Sequence, residues 1–233
     1  MASSKMLNSF WRLSANDPPQ RAFFVFHTYD ESPTTKRGVE LRPEYRDLVC
    51  SQCGWYDPRK AAKIGIPRDV RCPFRNRDIV FSDDGRLVVS RKCRIAFSRI
   101  PGLECEYFPF PGDPSFFLAF ARRQLLPPKN ARICKNDDEL WSLRQPFIIE
   151  GKCPSCKHFS GVSFQWQFLR LSSQFSAGAA ILDRGGWDGR REAWIVSERV
   201  ANALQKVRLT GFKLRKVEVD KDATSPIIRR IRK

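Results

Sequence analysis

A chain of 233 residues with 42% hydrophobic residues, 18 Phe and 6 Trp has enough apolar material for a real core, in one large domain or two small ones. Lys and Arg number 42 against 25 Asp and Glu, a formal net charge of +17 that attracts acidic or polyanionic partners and specifies no fold. No stretch approaches the ~20 apolar residues of a membrane span, and the opening MASSKMLNSFWRLSAND lacks the apolar core of a signal peptide. The eight cysteines therefore read as thiols or metal ligands in a reducing, cytoplasmic setting rather than as disulfides.

In chain order, SFWRLS near the start reads as a strand. A polar Pro-containing loop follows, then a second strand in AFFVF (22–26), with His27 beside it as a strand residue rather than a base. LVCSQCGW (48–55) carries a Cys-x-x-Cys pair. PFPGDPSFFLAF (109–120) is broken by Pro and Gly and then turns apolar. KNDDELWSL (135–143) has acidic residues at the front of a helical pattern, and GKCPSCKH (151–158) carries a second Cys-x-x-Cys pair. LDRGGWDGRR (182–191) reads as a loop, and 221–233 as a basic, mobile tail or arm.

Two segments read as copies of one unit. LVVSRKCRIAFSRIPGLECEYFPF (87–110) and WIVSERVANALQKVRLTGFKLRKVEV (194–219) each open with an apolar β-branched run. Each then has a serine suited to a helix N-cap, Ser90 or Ser197. A helical period follows: Cys93, Phe97 and Ile100 in the first copy, Val200, Leu204 and Val207 in the second. Gly102 and Gly211 suit the left-handed turn after a helix, the second copy having two more residues before its glycine, and an alternating segment closes each unit. The alignment sets Cys93 on Val200 and Cys105 on Leu214, so both cysteines read as core residues. Nearly all the excess charge falls in residues 51–130 (+7) and 190–233 (+8), the blocks that hold these copies. The expected architecture is α+β: one compact domain over 1–220, containing module 1 (about 81–110), a clamp (48–56 with 151–158) and module 2 (about 190–220).

The clamp rests on Cys50, Cys53, Cys153 and Cys156. Zinc takes four soft ligands at tetrahedral corners, and Cys-x-x-Cys supplies two from one tight turn. Gly54 follows the first pair and suits a left-handed residue. Lys157 stands at the matching place after Cys156, where a left-handed backbone would cost about 1 kcal/mol. Two separate redox pairs and plain buried thiols are the alternatives, and His158 and Cys72 are possible substitute ligands. Four thiolates leave no open coordination position, so the zinc would be structural and not catalytic.

The pairs in RPEYRDLVCSQCG and IIEGKCPSC, the closing AWIVSERVANALQKVRLTGFKLRKVEV and the early FWRLS resemble the double-CXXCG motif proteins. That resemblance, covering most of residues 9–220, implies zinc ligation by Cys50, Cys53, Cys153 and Cys156. It also implies the role of a bacterial immunity protein, which binds and neutralises a toxin made by the same or sister cells. The second pair departs from the family pattern, reading CPSCK without the glycine. The other class of function is a zinc-ribbon nucleic-acid binder using RKCRIAFSR and RRIRK on phosphates, against which these arginines also read as solvated helix faces and a soluble tail. With two histidines and none of the P-loop, GxGxxG, nucleophile-elbow or HExxH patterns, the chain does not read as an enzyme.

Overall fold

The structure, a computed structural model, describes residues 6–7, 9–15, 23–29, 39–126, 147–148, 151–160, 163–164, 171–172, 178–183, 191–218 and 227–230. Among these residues the helices are α1 (Pro58–Ile64), α2 (Arg91–Arg99) and α3 (Glu198–Lys206), with a 3-10 helix at Pro43–Leu48. The KNDDELWSL segment lies outside the described residues.

The first module forms because its strands alternate with period two and its helix changes period at a capped serine. Strands β5 (Ile79–Phe81), β6 (Leu87–Ser90), β7 (Cys105–Phe110) and β8 (Asp113–Ala121) make a sheet of order β5-β6-β8-β7. Both β6 and β7 run antiparallel to β8 between them, so they run parallel to each other and α2 is the crossover. The Ser90 hydroxyl accepts from the Cys93 N–H at 3.1 Å, capping α2. Along the sheet Leu87, Val89, Phe117 and Ala119 join one core, while Val88, Phe116, Leu118 and Phe120 join another.

The second module repeats this plan with a strand borrowed from the chain's start. Strands β16 (Arg191–Val196) and β17 (Phe212–Glu218) flank β2 (Ser9–Ala15), again both antiparallel to it, with α3 as the crossover. Ser197 caps α3, accepting from the Val200 N–H at 3.4 Å. The sheet continues as β17-β2-β16-β15-β9-β18, where β15 is Gly178–Asp183, β9 is Arg123–Leu126 and β18 is Ile227–Arg230. Leu182, Asp183 and Arg191, read as loop residues, are strand ends here, because β15 and β16 pair as far as Asp183 and Arg191. Within the stretch read as a tail, Ile227–Arg230 pairs antiparallel with β9, since its backbone completes a sheet edge.

Register sharpens the duplication. Val89 faces Phe117 across β8 as Val196 faces Trp11 across β2, and Leu87 faces Ala119 as Trp194 faces Leu13. The central strands therefore correspond residue by residue, SFFLAFA (115–121) with SFWRLSA (9–15). On the far side Cys105 faces Ala121 and Phe212 faces Ala15, so Cys105 corresponds to Phe212, not to Leu214. The connections Ser90 to Cys105 and Ser197 to Phe212 are equally long, and only the glycine has moved within them. Gly102 and Gly211 are both left-handed, at φ 89° and 91°.

The two modules share one core. Cys93, Phe97 and Ile100 of the first meet Leu13, Trp194, Val196, Val200, Ala201 and Leu204 of the second, and Cys105 packs half-buried against them. Each fully buried large side chain there contributes about 1.5–3 kcal/mol. Asp78 latches the modules at their edge. Its carboxylate accepts from Ser90 Oγ at 2.7 Å, Thr210 N at 3.0 Å and Thr210 Oγ1 at 3.2 Å, with Lys92 Nζ at 3.3 Å.

The other sheet face carries a second core, with Tyr45, Tyr56, Ala61, Ala62, Val70 and Cys72 from the segment around the first cysteine pair. AFFVF contributes Phe23, Val25 and Phe26 to it but is not the expected strand. The Phe23 N–H donates to Asp83, and those of Val25 and Phe26 donate to the buried Asp84, so side chains take donors that a ladder would use. The strand begins at His27: β3 (His27–Tyr29) pairs with β4 (Val39–Leu41). His27 is buried, its Nδ1 lying 3.3 Å from Asp84.

Candidate metal centre

The two Cys-x-x-Cys turns fold into matching knuckles. In the first, the Cys50 N–H donates to the Trp55 carbonyl at 2.8 Å, and the Gly54 N–H donates to the Cys50 carbonyl at 2.8 Å. In the second, the Cys153 N–H donates to the His158 carbonyl at 2.8 Å, and the Lys157 N–H donates to the Cys153 carbonyl at 2.9 Å. In each knuckle the residue four after the first cysteine closes the turn with a left-handed backbone. Gly54 does so at φ 69°, and Lys157 follows at φ 60° as the one non-glycine residue with positive φ among those described.

Each knuckle is tied down at both ends. The 3-10 helix before the first buries Tyr45, whose hydroxyl donates to the Gly65 carbonyl at 2.6 Å. After it, Asp57 caps α1, accepting from the Arg59 N–H at 2.9 Å. Arg59 is itself buried and reaches Glu106 on β7 at 3.0 Å, fixing the knuckle to the first module. The second knuckle sits at the tip of a short hairpin, β11 (Gly151–Lys152) with β12 (Phe159–Ser160).

Together the knuckles place four sulfurs in one cluster. Cys50 Sγ is 3.8 Å from Cys153 Sγ, Cys53 Sγ is 3.5 Å from Cys156 Sγ, and all four lie within 4.8 Å of one another. A disulfide needs about 2.05 Å. Four sulfurs at about 2.3 Å from one metal ion stand about 3.8 Å apart at tetrahedral corners. The distances therefore fit a shared ion, no disulfide is formed among them, and all seven described cysteines are free thiols.

The protons point the same way. Backbone N–H groups of Cys53 and Gln52 pull Cys50 down to about 6, and those of Cys156 and Ser155 lower Cys153. The Trp55 N–H also draws Cys53 down, but burial and thiol hydrogen bonds shared with Cys156, Cys153 and Cys50 outweigh it, leaving Cys53 at about 12. The backbone thus stabilises two thiolates, and a cation is what would let all four ionise together.

The sequence-named ligands Cys50, Cys53, Cys153 and Cys156 all meet here, whereas the suggested substitutes do not. Cys72 is buried in the second core. His158 stacks on Trp55, ring centroids 4.0 Å apart and planes at 15°, outside the sulfur cluster. Trp55 and His158 hold equivalent places in the two knuckles, a pairing the sequence reading missed although the equal spacing from Cys50 and Cys153 signals it. Cys156 remains exposed.

Fold and site define an α+β protein of two split β-α-β modules with a closed four-cysteine cluster suited to a metal ion. No protein-family model, curated protein or solved structure matches the chain. Among the described residues, no helix is long and apolar enough to cross a membrane.

Proposed function

We propose that the chain is a non-catalytic, zinc-stabilised binding protein of the cytoplasm, an immunity protein that neutralises a bacterial toxin by occupying its surface. Four thiols at tetrahedral spacing carry the zinc assignment, because soft thiolates in that geometry select zinc among abundant divalent ions. The site's role is shape. It joins two turns about a hundred residues apart in sequence, around the whole first module.

The toxin-binding role is supported by the resemblance to double-CXXCG motif proteins, whose two cysteine pairs correspond to the two that meet in space here. Co-expression tests it. The chain should rescue cells from the toxin encoded by a neighbouring gene and co-purify with it at about 0.3 M salt, where exposed charge pairs are screened. The second reading, a nucleic-acid binder, is favoured by the exposed Arg91, Lys92, Arg94 and Arg99 on a single helix. It predicts instead no rescue and nucleic-acid affinity that falls steeply with salt.

A further inference from the structure

The outer surfaces of α2 and α3 meet along an open groove of about 680 Å³. The two copies build it in pairs. Ala96 and Ala203 are equivalent, and their small side chains give it depth. Ile100 and Val207 are equivalent and supply apolar wall, and Arg99 and Lys206 are equivalent and set charge at its rim. Arg91 and Lys92 also line it, Arg91 donating to the Pro114 carbonyl at 3.3 Å and Lys92 serving the Asp78 latch. Neither Arg99 nor Lys206 has a carboxylate within 4.0 Å among the described residues.

One residue departs from the copy pattern. Ile95 lies in the groove 47% exposed, in a helix whose wet face otherwise carries Arg91, Lys92, Arg94, Ser98 and Arg99. Its equivalent in α3 is Asn202, also exposed. The module therefore packs with a polar residue at that position, and folding does not demand an isoleucine there. An exposed apolar side chain that the fold does not require, set between the cations Arg99 and Lys206 for which no described carboxylate lies in reach, is the composition of a docking surface.

We propose that the α2–α3 groove docks an acidic amphipathic segment of a protein partner. Its apolar side chains would enter between Ala96 and Ala203 against Ile95, and its carboxylates would meet Arg99 and Lys206. This deepens the binding reading above by assigning the partner's chemistry. A nucleic acid fits less well. The groove has an aliphatic floor, and none of the described residues lining it is an aromatic on which bases could stack.

The test uses the full-length zinc-loaded protein and fluorescence anisotropy with three labelled probes: a synthetic leucine/glutamate helix, its leucine/lysine counterpart and oligothymidylate. The glutamate helix should bind and the lysine helix should not. Ile95→Asn, which imports the residue of the other copy, and the pair Arg99→Glu with Lys206→Glu should each weaken binding at least about tenfold with an unchanged thermal midpoint. No binding of the glutamate helix, equal binding by Ile95→Asn, or oligothymidylate binding in its place that is lost with Arg99→Glu and Lys206→Glu would each overturn the proposal. Failure of the immunity reading is separate: it shows as absent toxin rescue with groove-dependent peptide binding intact.

Discussion

Replacing Asp78 with alanine should weaken the joint between the two modules. The carboxylate accepts hydrogen bonds from the cap hydroxyl of α2, from the Thr210 N–H and from the Thr210 hydroxyl, and it pairs with Lys92. Asp78 is nearly buried, and its removal leaves the Thr210 N–H and the Ser90 hydroxyl without this acceptor. A buried donor left unsatisfied costs about 1–3 kcal/mol; these donors are part-buried and Lys92 is exposed enough to recover its hydration, so Asp78→Ala should cost about 1–2 kcal/mol. Burial alone would raise the Asp78 carboxyl. The bonds from Ser90 and Thr210 and the Lys92 charge outweigh it and hold the group below its usual value. Its stabilisation is therefore present above the unfolded value of about 4 and is lost as pH falls through the lower folded value. Urea unfolding followed by tryptophan fluorescence should show a clear gap between wild type and Asp78→Ala at pH 7 that narrows in acid. Equal midpoints at pH 7, or a gap that widens as pH falls below about 4, would refute the latch.

Three further outcomes follow from the packing. Phe97→Ala and Leu204→Ala, both in the shared core, should each cost about 2–5 kcal/mol in denaturant unfolding, while Arg208→Ala on the wet surface should cost under ~0.5 kcal/mol. Gly211→Ala should cost more than about 1–2 kcal/mol, because φ is 91° and a Cβ would lie 2.9 Å from the Arg77 Cβ and against the Ile79 carbonyl. Lys157→Gly should raise the thermal midpoint, relieving a left-handed lysine worth about 1 kcal/mol.

The duplicated units were legible because their signals are local. A serine hydroxyl reaching three residues ahead, a helical apolar period and a nearby glycine all lie within one short window, and each stands where expected. The knuckles were legible for the same reason, down to the strain at Lys157. Pairing at long range was not. That β2 and β8 are the central strands of equivalent modules depends on register between segments far apart, which no local window contains. The same limit misplaced Cys105 by two residues. Local alignment anchored on the glycine, but strand register anchors on the total connection length. AFFVF shows a third limit, since its β-prone composition gave no sign that Asp83 and Asp84 would capture its backbone donors. The Asp78 latch likewise joins an aspartate to a threonine 132 positions away.

The four sulfurs at Cys50, Cys53, Cys153 and Cys156 should hold one structural zinc ion. Elemental analysis of native protein purified without chelator tests it most directly. One zinc per chain is expected, lost in Cys53→Ser along with much of the folding stability and kept in Cys72→Ser. A fully folded wild-type protein free of metal, or full zinc content in Cys53→Ser, would contradict it.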